Sequence, residues 1–238
     1  MLPNAKWHGE KKPKLLIFDV NETLIDFESM HPLFERVFGD KRVMREWLGH
    51  LIMYSMTFTM SGIFKDYWEL GGGLLHMVGA IHGIKVSEND IELLREAMKT
   101  MPAHKDAEEG LKKLQSAGYK MVTLTNSPPT PGRKTPLENA GLAKYFDRQF
   151  SIGTTLAYKP APIVYHMVSD AYDLAPEECF MVATHVWDTI GAQAAGMSAG
   201  LLTRSGNAPL YIKGVPQPNA IAADLPGLAE EMEKIWGK

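Results

Sequence analysis

Cysteine is almost missing from this chain: Cys179 stands alone in 238 residues, so no disulfide can close within it. A lone thiol beside Phe180 in an apolar run reads as core filling rather than as a nucleophile. A chain without internal disulfides fits a reducing cytoplasm. An excess of one charge is also missing. With 25 basic against 28 acidic side chains the net charge is −3, and no Lys/Arg run offers a footprint for nucleic acid. Nowhere do about 18 apolar residues run uninterrupted, and the opening "MLPNAKWHGEKKPK" has no apolar stretch of the kind an export signal needs. The expectation is a soluble, unexported, cytoplasmic protein with no membrane and no nucleic-acid partner. Internal repeats and low-complexity segments are absent as well. His50, His76 and His82 are scattered through one helical region and His166 sits on another helix, without ligand-like spacing.

What remains is 45% apolar residues, ample for a core, arranged as short apolar runs alternating with helical patterns. That alternation is the mark of α/β architecture with a parallel sheet. Strands are expected at 14–19, 119–125, 148–152, 179–184 and 198–203, and amphipathic helices at 107–118, 134–146, 162–174 and 187–196. Residues 28–104 break the rhythm. They contain no convincing strand but three segments of helical spacing, too much for a crossover loop, and so read as an inserted helical domain. The expected division is 1–27 as the first part of a core domain, 28–104 as a helical cap, and 105–238 as the rest of the core. "PNAIAADLPGLAEEMEKIW" reads as a linker and a final helix.

The carboxyl ends of parallel strands open onto the ligand crevice. "LLIFDVNETLID" places Asp19 at such an end, followed by a polar turn through Thr23. Asp19 is either a cap for the next segment or a reactive carboxylate held out from rigid backbone. An insertion directly after this strand lies over the same edge, as a lid above Asp19.

"FDVNETL", "LTNS", "YKP" and "WD" occur in the order and approximate spacing of the haloacid dehalogenase superfamily, each at an expected strand end. From Lys14 onward the chain resembles the type II 2-haloacid dehalogenase branch. The resemblance implies a Rossmann-like parallel-sheet core with an α-helical cap. It makes Asp19 the nucleophile that displaces a leaving group to give an ester, which water then opens. Thr23 would brace the turn that aims Asp19. Lys159 would pair with Asp19, a solvated surface lysine being the competing account. Asp188 would position Lys159 and the hydrolytic water, or serve as an ordinary acid in the first turn of a helix. Thr125 and Asn126 would contact the substrate carboxylate or the leaving group, backbone satisfaction at the strand end being the competing account. Tyr165 matches a tyrosine beside the family's lysine, although a half-buried aromatic reads the same, and Trp187 precedes Asp188 in the fourth motif.

Phosphoryl-transferring members carry a second Asp two residues after the first, where this chain has Asn21. "ATHVWD" supplies only Asp188 at the fourth motif, a poor start for a Mg²⁺ cage. No metal and no cofactor are expected; the partners are a small carboxylate substrate and water. Dimeric relatives make a homodimer an open expectation.

Two positions depart from the dehalogenase pattern. Aligning "EWLGHLIMYS" pairs Trp47 and Tyr54 with the family's cap aromatics and puts Leu48 where an arginine draws off halide. Arg42 and Arg45 are the cations nearby, but on a helix Arg45 lies about 300° around from Leu48. Tyr54 is the expected polar contact from the cap, and the Met-rich face of "HLIMYSMTFTM" its expected inner lining. His185 stands in place of an asparagine, and an imidazole can donate a proton or orient water. Losing a halide-stabilising cation while gaining a proton-handling group suits a leaving group that departs as an amine. C–N ring opening of a strained cyclic amino acid such as L-azetidine-2-carboxylate is therefore expected ahead of halide release from an (S)-2-haloacid. A Mg-dependent phosphatase and a non-catalytic binding protein are the further alternatives.

Overall fold

A computed structural model describes residues 11–129 and 131–237. The polar stretch 1–10, read above for its lack of an export signal, lies outside the described residues. Strand β1 (Leu15–Phe18) consists of four apolar residues buried on both faces, as a central parallel strand must be. It is flanked by β2 (Lys120–Thr125) and β4 (Cys179–Ala183). With β3 (Arg148–Ser151), β5 (Ser198–Leu202) and β6 (Ala220–Ala222) it forms a six-stranded sheet in the order β3-β2-β1-β4-β5-β6. All of its pairings are parallel. Strand order reverses at β1, so the crevice opens at the carboxyl ends of β1 and β4. Cys179 is buried in β4, where burial pushes its thiol up to about 12, in keeping with a core role.

After β1 come α1 (His31–Phe38), α2 (Val43–Met60), α3 (Tyr67–Ile81) and α4 (Glu88–Thr100). They form the expected helical cap around a centre of their own. Trp47 is fully buried there against Phe27 and Phe34, and its indole Nε1 donates to the carbonyl of Gly71 at 3.0 Å. Asp66 caps α3 through two backbone amides, and Ser87 and Asp90 form a capping box at the start of α4.

The later helices are α5 (Ala107–Ser116), α6 (Pro136–Asn139), α7 (Pro162–Asp170), α8 (Val186–Ala194) and α9 (Leu225–Trp236). Two expectations need correction. The helix expected over 134–146 is broken: α6 stops after one turn, Gly141 takes φ +74°, and a separate 3₁₀ turn follows at Ala143–Tyr145. A positive φ ends a right-handed helix, which is why glycine stands there. The linker before the last helix contains β6, whose Ala220 and Ala222 pair with Gly200 and Leu202. A three-residue edge strand is too short to show a period in sequence.

Candidate active site

Phe18 is the last paired residue of β1, and the amide of Asp19 still donates to Val182 of β4 at 3.0 Å. The Asp19 backbone is thus anchored while its side chain faces the crevice. Asp19 Oδ2 accepts from the Thr23 hydroxyl at 2.7 Å, and that hydroxyl in turn accepts from the amide of Thr184 at 3.0 Å. Asp19 Oδ1 accepts from Lys159 Nζ at 2.8 Å. The same ammonium donates to Asp188 Oδ2 at 2.6 Å and to the carbonyl of Leu124 at 3.1 Å. Lys159 and Asp188 are essentially inaccessible, and Asp19 retains 6% exposure.

The charges explain one another. Burial alone would lower the Lys159 ammonium, but Asp188 and Asp19 outweigh it and hold the group above the ordinary lysine value. Burial pushes Asp188 up, Lys159 pulls against this, and the neighbouring Asp19 adds to the rise. Tyr165 donates its hydroxyl to Asp188 Oδ1 at 2.6 Å. Helix α8 can come this close because residue 191 is glycine; a Cβ there would lie 2.4 Å from Pro160 Cβ and 2.6 Å from the Tyr165 hydroxyl.

A narrow pocket of about 20 Å³ opens above Asp19. Its wall brings together Asn21, Leu48, Thr125, Asn126, Lys159, His185 and Trp187, as the sequence suggests. Asn126 Oδ1 accepts from the Lys159 amide at 3.0 Å, and Thr125 Oγ1 from the Ser127 amide at 3.1 Å. Asn21 donates to the Ser127 hydroxyl at 3.2 Å.

Tyr54 is not in this wall, contrary to expectation. It lies about 240° around α2 from Leu48, while Ile52, one turn on, lies about 40° away and shares the pocket face. Tyr54 instead lines an outer groove between α2 and α3 with Phe58 and Met77, so the Met-rich face is only partly an inner lining. Tyr165 stands behind Asp188 rather than in the pocket, which removes it from the substrate-contacting set. Asp188 is likewise enclosed, reaching the pocket only through Lys159.

Two residues escaped the sequence reading. Tyr67, the first residue of α3, takes the place expected for Tyr54 and lines the pocket; burial and the charge of Asp19 both raise its phenol. Its signal was the Asp66 cap that fixes where α3 begins. Glu22 is 2% exposed, lies in the pocket wall, and adopts φ +66°. Its carbonyl accepts from His104 Nε2 at 2.9 Å. Its carboxylate contacts His185 Nε2 at 2.8 Å, Asn207 Nδ2 at 3.1 Å and the guanidinium of Arg45. Burial works to raise Glu22, but His185 and Arg45 together hold it below the usual carboxylate range. A glutamate inside a tight turn looks like a solvated loop residue in sequence.

The family profile of the haloacid dehalogenase-like hydrolases matches residues 13–196. The chain belongs to that family. This haloacid dehalogenase-like hydrolase is 28% identical over 197 residues to (S)-2-haloacid dehalogenase 4A of Burkholderia cepacia, covering 82% of this chain and 85% of that protein. To (S)-2-haloacid dehalogenase 1 of Pseudomonas sp. (strain CBS-3) it is 27% identical over 220 residues, covering 89% and 94%. Its fold matches the L-2-haloacid dehalogenase of Xanthobacter autotrophicus with chloropropionic acid covalently bound, at a TM-score of 0.81, 22% identity, and 92% and 97% coverage.

Within this hydrolase no Lys or Arg of the cap, among the described residues, lines the pocket. Arg45 is held by Glu22, by Glu28 at 3.6 Å and by the Ser205 carbonyl at 3.0 Å; Arg42 pairs with Asp40 at 2.7 Å. His185 stacks on Trp187 with centroids 5.4 Å apart. Nδ1 of His185 and Nε1 of Trp187 are buried without a hydrogen-bond partner. Among the described residues no group of three or more His, Cys, Asp or Glu is placed to hold a metal ion, and no helix is long and apolar enough to cross a membrane.

Proposed function

We propose that this hydrolase displaces a leaving group from C2 of a small 2-substituted carboxylate through an ester on Asp19, and that the group leaves as an amine. A carboxylate oxygen of Asp19 attacks C2, the new C–O bond forms, and the bond from C2 to the leaving group breaks with its electron pair on that group. Thr23 and Lys159 fix the direction of the attacking carboxylate. Water then adds to the ester carbonyl, its proton passes by way of Lys159 to the enclosed Asp188 and returns by the same route to the departing alkoxide oxygen, and Asp19 is restored as the hydroxy acid departs. The (S)-2-haloacid dehalogenase relatives support attack at carbon. Asn21 in the place of a second aspartate, and an ammonium bridging the two buried carboxylates, favour it over phosphoryl transfer.

The observation that carries the choice of leaving group is the pairing of Glu22 with His185 in the pocket that Leu48 also lines. A strained secondary amine enters protonated, so a cation beside it would repel it, whereas a halide needs one. Here the pocket offers apolar Leu48 and Ile52, and Arg45 is neutralised by Glu22. With Nε2 held by Glu22, His185 keeps Nδ1 to accept a hydrogen bond from the protonated ring nitrogen, which retains its proton and leaves as a neutral amine when the bond breaks. L-Azetidine-2-carboxylate opened at C2 to a hydroxy amino acid is the substrate type this fits. Halide release from an (S)-2-haloacid is the second reading, favoured by the relatives.

The test is turnover of L-azetidine-2-carboxylate against L-2-chloropropionate in chelator-treated buffer, with intact-mass detection of an adduct on Asp19. Ring opening at the higher kcat/KM supports the amine reading. Faster halide release replaces it with the second reading, and the absence of both turnover and adduct refutes attack at carbon.

A further inference from the structure

A second cavity of about 70 Å³ adjoins the Asp19 pocket of about 20 Å³, and Asn21 and Thr125 belong to both walls. Its floor is the carboxyl half of β2 and β3. Side chains two apart on a strand share a face, so Thr123 and Thr125 of β2 point the same way as their register partners Gln149 and Ser151 of β3. All four line the cavity. A sheet face beneath a helical layer is ordinarily apolar, and here it carries two cross-strand pairs of hydrogen-bonding side chains.

The roof comes from the cap. Trp68 of α3 and Lys99 at the end of α4 project over this floor, with Lys134 at the rim. Nε1 of Trp68 and Oγ1 of Thr123 are both buried with no hydrogen-bond partner, and Thr123 is only 1% exposed. Buried polar groups left unpaired are rare unless something else fills the site. Among the described residues no carboxylate lines the cavity. Lys134 has no ion-pair partner among the described residues, and Lys99 shares Glu96 with Arg133. An indole N–H and two ammonium groups can only donate, so the matching ligand accepts hydrogen bonds and is negatively charged.

We infer that this cavity binds a second carboxylate of the substrate, making the preferred substrate a dicarboxylic acid, or an acid with an equivalent anionic tail, substituted at C2. The inference rests on the proposed function, since the reacting end of the same molecule sits at Asp19. The shared wall of Asn21 and Thr125 lets one chain span both spaces, and the small compounds used to probe the reaction occupy only the inner one.

Calorimetric binding to the wild-type protein tests this without any turnover. Succinate, glutarate and adipate are compared with butyrate, valerate and hexanoate, in the wild type and in Thr123→Val and Lys134→Ala. At least one dicarboxylate is expected to bind about tenfold or more tightly than the monocarboxylates. Each variant is expected to reduce that preference severalfold while leaving monocarboxylate binding unchanged, which also shows that the inner pocket is intact. Equal binding of both classes, or a preference that survives in both variants, overturns the inference and leaves the cavity to water. Failure of every carboxylate to bind overturns the reading of the Asp19 pocket, and this inference with it.

Discussion

His185 Nε2 lies 2.8 Å from Oε2 of Glu22, a carboxylate carried by a residue whose backbone is turned to φ +66°. A non-glycine residue held there costs on the order of 1–3 kcal/mol and persists only when its surroundings fix it. Here the fixing groups are His104 on the Glu22 carbonyl and Arg45, Asn207 and His185 on its carboxylate. Arg45 belongs to α2 and Glu22 to the turn after β1, so the contact that orients His185 also ties cap to core.

The Glu22 contacts make a stability prediction with a definite sign. Its folded-state pKa lies below the ordinary value of 4.5, so it contributes stability that is fully present above that pH and lost as the pH falls through the folded value. Thermal unfolding followed from pH 7 downward should show Glu22→Gln less stable than wild type near neutrality, with the difference shrinking below about pH 4. Parallel curves at all pH values contradict the assignment.

Leu48→Arg should move the enzyme toward halide release. A guanidinium on the pocket face of α2 stabilises a departing anion and repels a protonated ring nitrogen. The ratio of kcat/KM for L-2-chloropropionate to that for L-azetidine-2-carboxylate is expected to rise by about tenfold or more. An unchanged ratio in a folded variant separates leaving-group choice from residue 48.

Tyr165→Phe tests Asp188 as the base for ester opening. Burial already raises Asp188, and the Tyr165 hydrogen bond opposes that rise by favouring the ionised form. Removing the hydroxyl should raise Asp188 further, shifting the acidic limb of the kcat profile to higher pH and lowering kcat at neutral pH. A pH profile that does not move assigns Tyr165 to packing alone.

Much of this architecture was legible from side-chain types at strand ends. Asp19 and Asp188 follow short buried strands and Lys159 follows the loop after the edge strand β3, and parallel backbone brings them together across long sequence separations. Illegible was what depends on rotation around a helix or on a single turn. Tyr54 faces away because α2 turns about 100° per residue, and Tyr67 replaces it because α3 starts at Asp66. Glu22 was hidden because burial of a charged turn residue follows from distant partners, Arg45 and Asn207, that no local pattern reveals. Likewise β6, three residues long, is recognisable only from its pairing with β5.

The central claim is that oxygen reaches the product through Asp19. A single turnover with enzyme in excess over whichever of the two probe acids reacts, run in ¹⁸O-water and followed by peptide mass analysis, tests it directly. The account predicts ¹⁸O in the peptide carrying Asp19 and none in the hydroxy acid released. Label in the product with an unlabelled Asp19 would mean that water attacks C2 itself, and would contradict it.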